Sequence, residues 1–405
     1  MQAGANLPAV GGYNQTVILD AVRRSSDGVS RVELAEQTGL SPQTVSNVTR
    51  RLLDEGLIVD AGTVVVGVGK PRTILRLEPT GRYALGIHLD PTVVTVVLLD
   101  LASRVVADRT IPMPASGDAP AAIAEVIETA QQLLRESRVD RTRVMGAGVA
   151  APGPIDLTAG ALLEPPLLRG WKDVAIRDAL AAGLGMPVLV EKDVTAAIVA
   201  ERWAGTIEGR GNVAFFYFGT GVGAGLVLHG NVIRGVSGNA GDIGNLMVGD
   251  EGTGTVRTLG AAVLPRYIVD RAVAAGVLPA YDGEPGTEEI RRRFAALAEA
   301  ATRGEEPAAG LLDAAASDIA TGLVQLINML DIDRVIFGGP FLAAAAGFLM
   351  ERVPDRVRES RYRIAPHPIE FEVSEFGDDV AAIGAACLVL DHAFSPRPEG
   401  LLIAR

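Results

Sequence analysis

Residues 30–51 read SRVELAEQTGLSPQTVSNVTRR and contain two helix starts and one helix stop. Ser30 and Glu33 stand three apart as a capping box, in which hydroxyl and carboxylate each satisfy a backbone donor at a helix N-terminus. That helix should run to about Thr38. Gly39 tolerates positive φ at the turn, and Ser41-Pro42 pairs an N-cap with a first-turn proline, opening a further helix to about Glu55. Upstream, Val17, Ile18, Ala21 and Val22 recur at helical spacing within residues 15–25. In the helix after Pro42, the apolar side (Val45, Val48, Leu52, Leu53) would pack on Leu34, Ala35 and Leu40. Gln43, Thr44, Ser46, Asn47, Arg50 and Arg51 then point outward, and these are side chains that bond base edges and phosphates. Ala35, Gly39 and Val45 fall at the offsets of a helix-turn-helix, although a plain three-helix bundle with a solvated polar face would share the helix pattern.

The residues that follow narrow the choice. Leu57-Ile58-Val59 and Ile74-Leu75-Arg76-Leu77 flank the glycine-rich Gly67-Val68-Gly69-Lys70-Pro71-Arg72, which reads as a hairpin with a basic tip. Such a wing would carry Lys70 and Arg72 to backbone phosphates or the minor groove beside the helix. Residues 1–80 are therefore expected to form a winged helix-turn-helix that binds double-stranded DNA.

The whole chain has 405 residues, 48% apolar and 4% aromatic, with a net charge of −12, which fits two or three packed domains rather than low-complexity disorder. Residues 1–80 carry eight basic and eight acidic side chains, so the entire −12 lies on residues 81–405. The single Cys387 allows neither an internal disulfide nor a thiolate zinc cluster. The first twenty residues lack the pattern of an export signal, and the apolar run 83–101 is interrupted by His88, Asp90 and Asp100. The expectation is a cytoplasmic protein with no membrane partner.

After Pro79 strands alternate with helices. Strands are expected over 83–89, 93–99 and 144–150, with an amphipathic helix over 120–137. The grammar recurs at 213–218 and 224–228 around Gly219-Thr220-Gly221-Val222-Gly223, and at 334–337 before Gly338-Gly339-Pro340. A strand, a turn and a strand in each half suggest an internal duplication with a cleft between the halves. A helix is expected within 287–303 with no assigned function, and the apolar, Ala-rich helices around 310–330 and 341–350 read as lobe core, the alternative being a dimer contact.

Here the chain resembles transcriptional regulators of the ROK family (repressors, open reading frames and sugar kinases). The match is carried by Gly69-Lys70-Pro71-Arg72 after the winged helix, Ala151-Pro152-Gly153-Pro154-Ile155-Asp156, Gly170-Trp171-Lys172, and Val190-Glu191-Lys192-Asp193-Val194-Thr195-Ala196-Ala197. It continues through Gly219-Thr220-Gly221-Val222-Gly223-Ala224-Gly225 and Gly235-Val236-Ser237-Gly238-Asn239-Ala240-Gly241-Asp242-Ile243-Gly244. The resemblance implies an α/β chain: the winged head plus, over residues 81–405, an actin-like, ribonuclease H-like domain of two lobes similar to sugar kinases. It also implies dimers or tetramers.

By the same resemblance, kinase members use a first phosphate loop Asp-x-Gly-x-Thr, an Asp that takes the sugar hydroxyl proton, and a second glycine loop. Asp193 matches that Asp, and Gly219, Thr220, Gly221 and Gly223 match the second loop, with Gly338 and Gly339 beyond. The first loop departs: His88-Leu89-Asp90-Pro91-Thr92 keeps only Thr92. A carboxylate about 4 Å from a phosphate oxygen costs on the order of 4 kcal/mol at an effective dielectric near 20. ATP binding and kinase activity are therefore not expected, and the glycine loops read as vestigial. The family's zinc-binding cysteines are missing, with Asn245 at the position of a His ligand, so no metal cofactor is expected either. The implied effector residues are Gly153, Lys192, Asp193, Asp242, Asn245 and, by alignment, Arg257. Lys192 and Arg257 suggest a phosphorylated sugar or sugar acid, the alternative being a vestigial pocket in which Lys192 pairs with Asp242 or Asp193. The rival to a DNA-binding regulator is an ATP-dependent sugar kinase with a fused DNA-binding domain.

Overall fold

A computed structural model describes residues 7–64, 71–114, 118–204, 207, 211–250 and 254–396. The head comprises α1 (Leu7–Arg24), β1 (Val29–Ser30), α2 (Arg31–Thr38), α3 (Pro42–Asp54), β2 (Ile58–Val64) and β3 (Arg72–Leu77), its strands pairing in the order β1-β3-β2. Both start signals act as expected: Glu33 Oε2 accepts from the Ser30 N–H at 2.8 Å, the Glu33 N–H donates to Ser30 Oγ at 3.4 Å, and Ser41 Oγ accepts from the Thr44 N–H at 3.2 Å. Gly39 ends α2 at φ +69°, the left-handed geometry that favours glycine. Helix α1 begins earlier than the periodicity suggested. Ile18, Val22, Leu34, Val45 and Leu52 are buried as the head's core, and the hairpin closes antiparallel; Lys70 and the wing tip lie outside the described residues.

The first lobe contains β4 (Tyr83–Leu89), β5 (Val93–Asp100), β6 (Val105–Pro112), α4 (Ala119–Glu136), β7 (Val144–Ala151), the short pair β8 (Ile155–Asp156) and β9 (Ala161–Leu162), α5 (Ile176–Leu184) and β10 (Val188–Lys192). Helix α6 (Asp193–Ala204) leads to the second lobe: β11 (Val213–Phe218), β12 (Val222–Leu228), β13 (Asn231–Val232), β14 (Met247–Asp250), β15 (Thr255–Thr258), α7 (Leu259–Val263), α8 (Pro265–Ala274), α9 (Thr287–Thr302), α10 (Ala308–Leu330), β16 (Arg334–Gly338), α11 (Leu342–Glu359) and β17 (Glu370–Val373). The chain returns to the middle in α12 (Val380–Phe394).

The sheets run β6-β5-β4-β7-β10 and β13-β12-β11-β16-β17. In each, three antiparallel strands are followed by two added in parallel, so the halves repeat one topology. Between the sheets lie α12 and α6, and every layer contact needs a glycine. A Cβ on Gly148 would sit 1.8 Å from the Ala385 carbonyl oxygen, one on Gly384 1.9 Å from that of Ala196, and one on Gly225 2.2 Å from that of Val194. Backbones at such range leave no room for side chains. Helix α10 is long and apolar enough to cross a membrane by length and composition, and its Leu312, Ile319, Leu323 and Ile327 are buried in the second lobe's core.

Candidate functional site

Two surfaces bring the sequence-identified residues together. On α3 the buried Val45, Val48, Thr49 and Leu52 fix the rotation of the helix. The opposite face is polar: Gln43, Asn47, Arg50 and Arg51 are exposed, and Thr44 and Ser46 are half-buried. Gln43 Nε2 donates to Asn47 Oδ1 at 3.3 Å and Arg50 Nη2 donates to the same oxygen at 3.0 Å, so residues spaced four and three apart form one ladder. Thr44 is partly committed to the cap, with its hydroxyl 2.9 Å from that of Ser41. Arg72, half-buried, stands at the start of β3.

The second surface is the cleft between the lobes. A cavity of about 270 Å³ is lined by Gly153 and Pro154 after β7, Lys192, Asp193 and Val194 at the β10–α6 junction, Val222 and Gly223 of β12, and Asn239, Gly241 and Asp242. Asp193 opens α6, and its Oδ1 accepts from the Val194 N–H at 2.7 Å. Enclosure pushes the Asp193 carboxyl above the ordinary carboxylate range, and nearby His88 is the foremost opposing influence. Lys192 pairs with neither Asp242 nor Asp193: its Nζ donates to the carbonyls of Asn239 and Ala240 at 3.3 and 3.4 Å. Asn239, which sequence reasoning quoted within a motif without assigning it a role, bonds Ile155 in both directions, accepting from its N–H at 2.8 Å and donating to its carbonyl at 2.7 Å. Nearby, Arg234 Nε donates to Glu191 Oε2 at 2.5 Å, while burial raises the Glu191 carboxyl against that arginine.

Arg257 and Asn245 stand apart from this pocket. Arg257 lies on β15 and bonds Asp318 Oδ2 of α10 at 2.6 Å; Asn245 is exposed and does not line the cavity. The lining charges are then Lys192 against Asp193 and Asp242. This removes half of the basis for an anionic effector, because the second cation is engaged elsewhere.

Thr92, Gly219 and Thr220 meet at a neighbouring cavity of about 250 Å³ that also touches Leu167, Ile290 and Phe341. Asp90 reaches both turns here: Oδ1 accepts from the Thr92 N–H at 3.0 Å and from its hydroxyl, and Oδ2 accepts from the Thr220 hydroxyl at 3.0 Å. The Gly219 N–H closes the second turn on the Gly221 carbonyl at 3.0 Å, and Gly223 belongs to the first cavity. Gly338 and Gly339 serve packing instead. A Cβ on Gly338 would meet the Phe215 ring at 2.3 Å, and Gly339, at φ +111°, would meet the Phe218 carbonyl oxygen at 2.7 Å. Among the described residues no group of three or more His, Cys, Asp or Glu could hold a metal ion.

The model of the ROK family matches residues 84–392, and a winged helix-turn-helix DNA-binding model matches residues 15–59. The xylose repressor of Caldicellulosiruptor bescii is 21% identical over 374 residues, covering 91% of this chain and 93% of the relative. A glucokinase of Halalkalibacterium halodurans is 24% identical over 319 residues, covering 76% of this chain and 95% of the enzyme. Among solved structures, a regulator described as a homologue of the Escherichia coli Mlc protein superposes with a TM-score of 0.73 at 22% identity, covering 97% of this chain and 98% of that one. At that identity the superposition speaks for the fold.

Proposed function

The chain belongs to the ROK family, and from that premise we propose that it is a DNA-binding transcriptional regulator, in the sense of a repressor, whose two-lobed domain senses a sugar-type small molecule without phosphorylating it. The observation that carries this reading is the solvent-facing ladder Gln43–Asn47–Arg50 on the second helix of a helix-turn-helix. Its amides and guanidinium bond base edges, and its cationic end bonds phosphate. Relatives matched along nearly their full length, including a xylose repressor, support the same reading. We assign residues 1–80 to reading DNA and 81–405 to sensing and dimerisation. Two heads on one dimer match a palindromic operator, in the cytoplasm where DNA is accessible.

For the effector, the pocket's carboxylates suit hydroxyl donors. A neutral, hydroxyl-rich sugar would place hydroxyls on Asp193 and Asp242 and displace Lys192 from its carbonyl partners. Asp90, buried between Thr92 and Thr220, puts a carboxylate where a nucleotide would need phosphate, and that supports an inactive kinase-like domain without bound ATP.

The second reading is a sugar kinase fused to a DNA-binding domain. It draws on Asp193, a carboxylate at a helix start beside a pocket, whose raised affinity for protons suits a general base, and on the glucokinase match. A coupled ADP-release assay of the full chain with ATP and a panel of aldoses separates the two. We expect no sugar-dependent release; turnover that disappears in Asp193→Asn would install the kinase instead.

A further inference from the structure

The cleft is bridged from inside, and the bridge at its outer end has the form of a bound anion. Asp90 leaves the β4–β5 turn of the first lobe, and Thr220 lies in the β11–β12 turn of the second. The duplicated topology sets these two hairpin turns face to face. Three donors converge on one carboxylate: the Thr92 N–H, the Thr92 hydroxyl and the Thr220 hydroxyl. Asp90 is 5% exposed, so it has few water partners, and these bonds satisfy a charge that would otherwise be costly to bury. One backbone N–H and one hydroxyl from Asp90's own turn and one hydroxyl from the facing turn close on the carboxylate, and these are donor types that also bond phosphate oxygens. Here a side chain of the protein occupies them.

We infer that the Asp90 carboxylate is a built-in occupant of an oxyanion site shared by the two lobes: it holds this end of the cleft closed and bars a ligand phosphate from the same donors. The inference rests on the reading of the cleft as a sensing rather than a phosphoryl-transferring site. At the other end, Lys192 and Arg234 also cross between lobes, one through carbonyls and the other through Glu191. Ligand entry there can therefore act on a cleft whose phosphate end is already fastened.

The test is hydrogen exchange on the full chain, read across the gap. Asp90→Ala should speed exchange of the second-lobe amides at Gly219 to Gly221 about tenfold, the scale of one hydrogen bond to a charged group. Millimolar inorganic phosphate should restore protection in Asp90→Ala and leave the wild type unchanged, since there the site is already filled. Thr220→Val should speed the first-lobe amides at Asp90 and Met113 by a similar factor without rescue by phosphate, and Thr220→Ser, which keeps the hydroxyl, should not. The double variant should be no faster than either single. Unchanged exchange across the gap in both Asp90→Ala and Thr220→Val, or equal behaviour of Thr220→Val and Thr220→Ser, overturns the bridge. Failure of phosphate to protect Asp90→Ala overturns the anion site. Should Asp90→Ala not fold, the Thr220 pair decides alone. None of these outcomes depends on ADP release, so the failure of this inference and that of the sensing role can be told apart.

Discussion

Lys192 is an ammonium held by two neutral carbonyls, Asn239 and Ala240, at 3.3 and 3.4 Å, with carboxylates lining the same pocket. At that length, bonds from the ammonium to neutral carbonyls are weaker than a salt bridge to a carboxylate, so a ligand's hydroxyl or ring oxygen can compete for the side chain. With Asp193 and Asp242 beside it, calorimetry should find neutral aldoses binding more tightly than their phosphates; tighter binding of the phosphates would return the pocket to an anionic effector. Lys192 and Asp193 are legible in the sequence because they stand at the matching positions of the family motif Val190 to Ala197. Arg257 was not legible in this way. Its place depended on aligning the stretch 252–257, and its partner Asp318 lies 61 positions onward, on helix α10. Asp90 reads in the sequence as a defect in a phosphate loop; besides its local bonds to Thr92, the meeting of two turns 130 residues apart gives it a partner in the second lobe, Thr220.

At the scale of elements, α2 and α3 were readable almost to the residue because cap chemistry is local: Ser30, Glu33, Gly39, Ser41 and Pro42 each act within four positions. Helix α1 begins at Leu7, ahead of its visible periodicity. Helix α12 escaped notice because its residues are buried nearly all round, which erases the amphipathic stripe that identifies surface helices. The α2 capping box carries a prediction with a defined sign. The bonds from the backbone and hydroxyl of Ser30 hold the Glu33 carboxyl below its ordinary range. A depressed folded value means stabilisation present above the unfolded value of about 4.3 and lost as pH falls through the folded one. Ser30→Ala should lower the protection of α2 amides in hydrogen exchange by about 1 kcal/mol near neutral pH. Glu33→Gln should lower it near neutrality and match the wild type once Glu33 is protonated; an equal deficit at both pH values would contradict the carboxylate's role.

At the scale of the molecule, two sheets of one topology enclose α6 and α12, and α6 runs from the cleft pocket toward the head. It starts at Asp193 in the pocket and ends near Trp203, over whose ring the head's Arg23 lies at 4.3 Å. The glycine contacts at Gly148, Gly384 and Gly225 pack α6 and α12 tightly against the sheets and against each other. Charge is divided in the same sense, with a net-neutral head and −12 on residues 81–405. The net negative charge of residues 81–405 disfavours their approach to a duplex. The duplication was visible in the sequence as repeated strand–turn–strand units, whereas the layer of α6 and α12 between the lobes was not, because it joins segments almost 200 residues apart. In the proposed function α3 reads DNA. Footprinting of the full chain on fragmented genomic DNA tests it directly. Discrete protected sites with two related half-sites are expected, weakened by about 1 to 3 kcal/mol in Arg50→Ala. Protection without sequence preference, or identical footprints from Arg50→Ala, would contradict it.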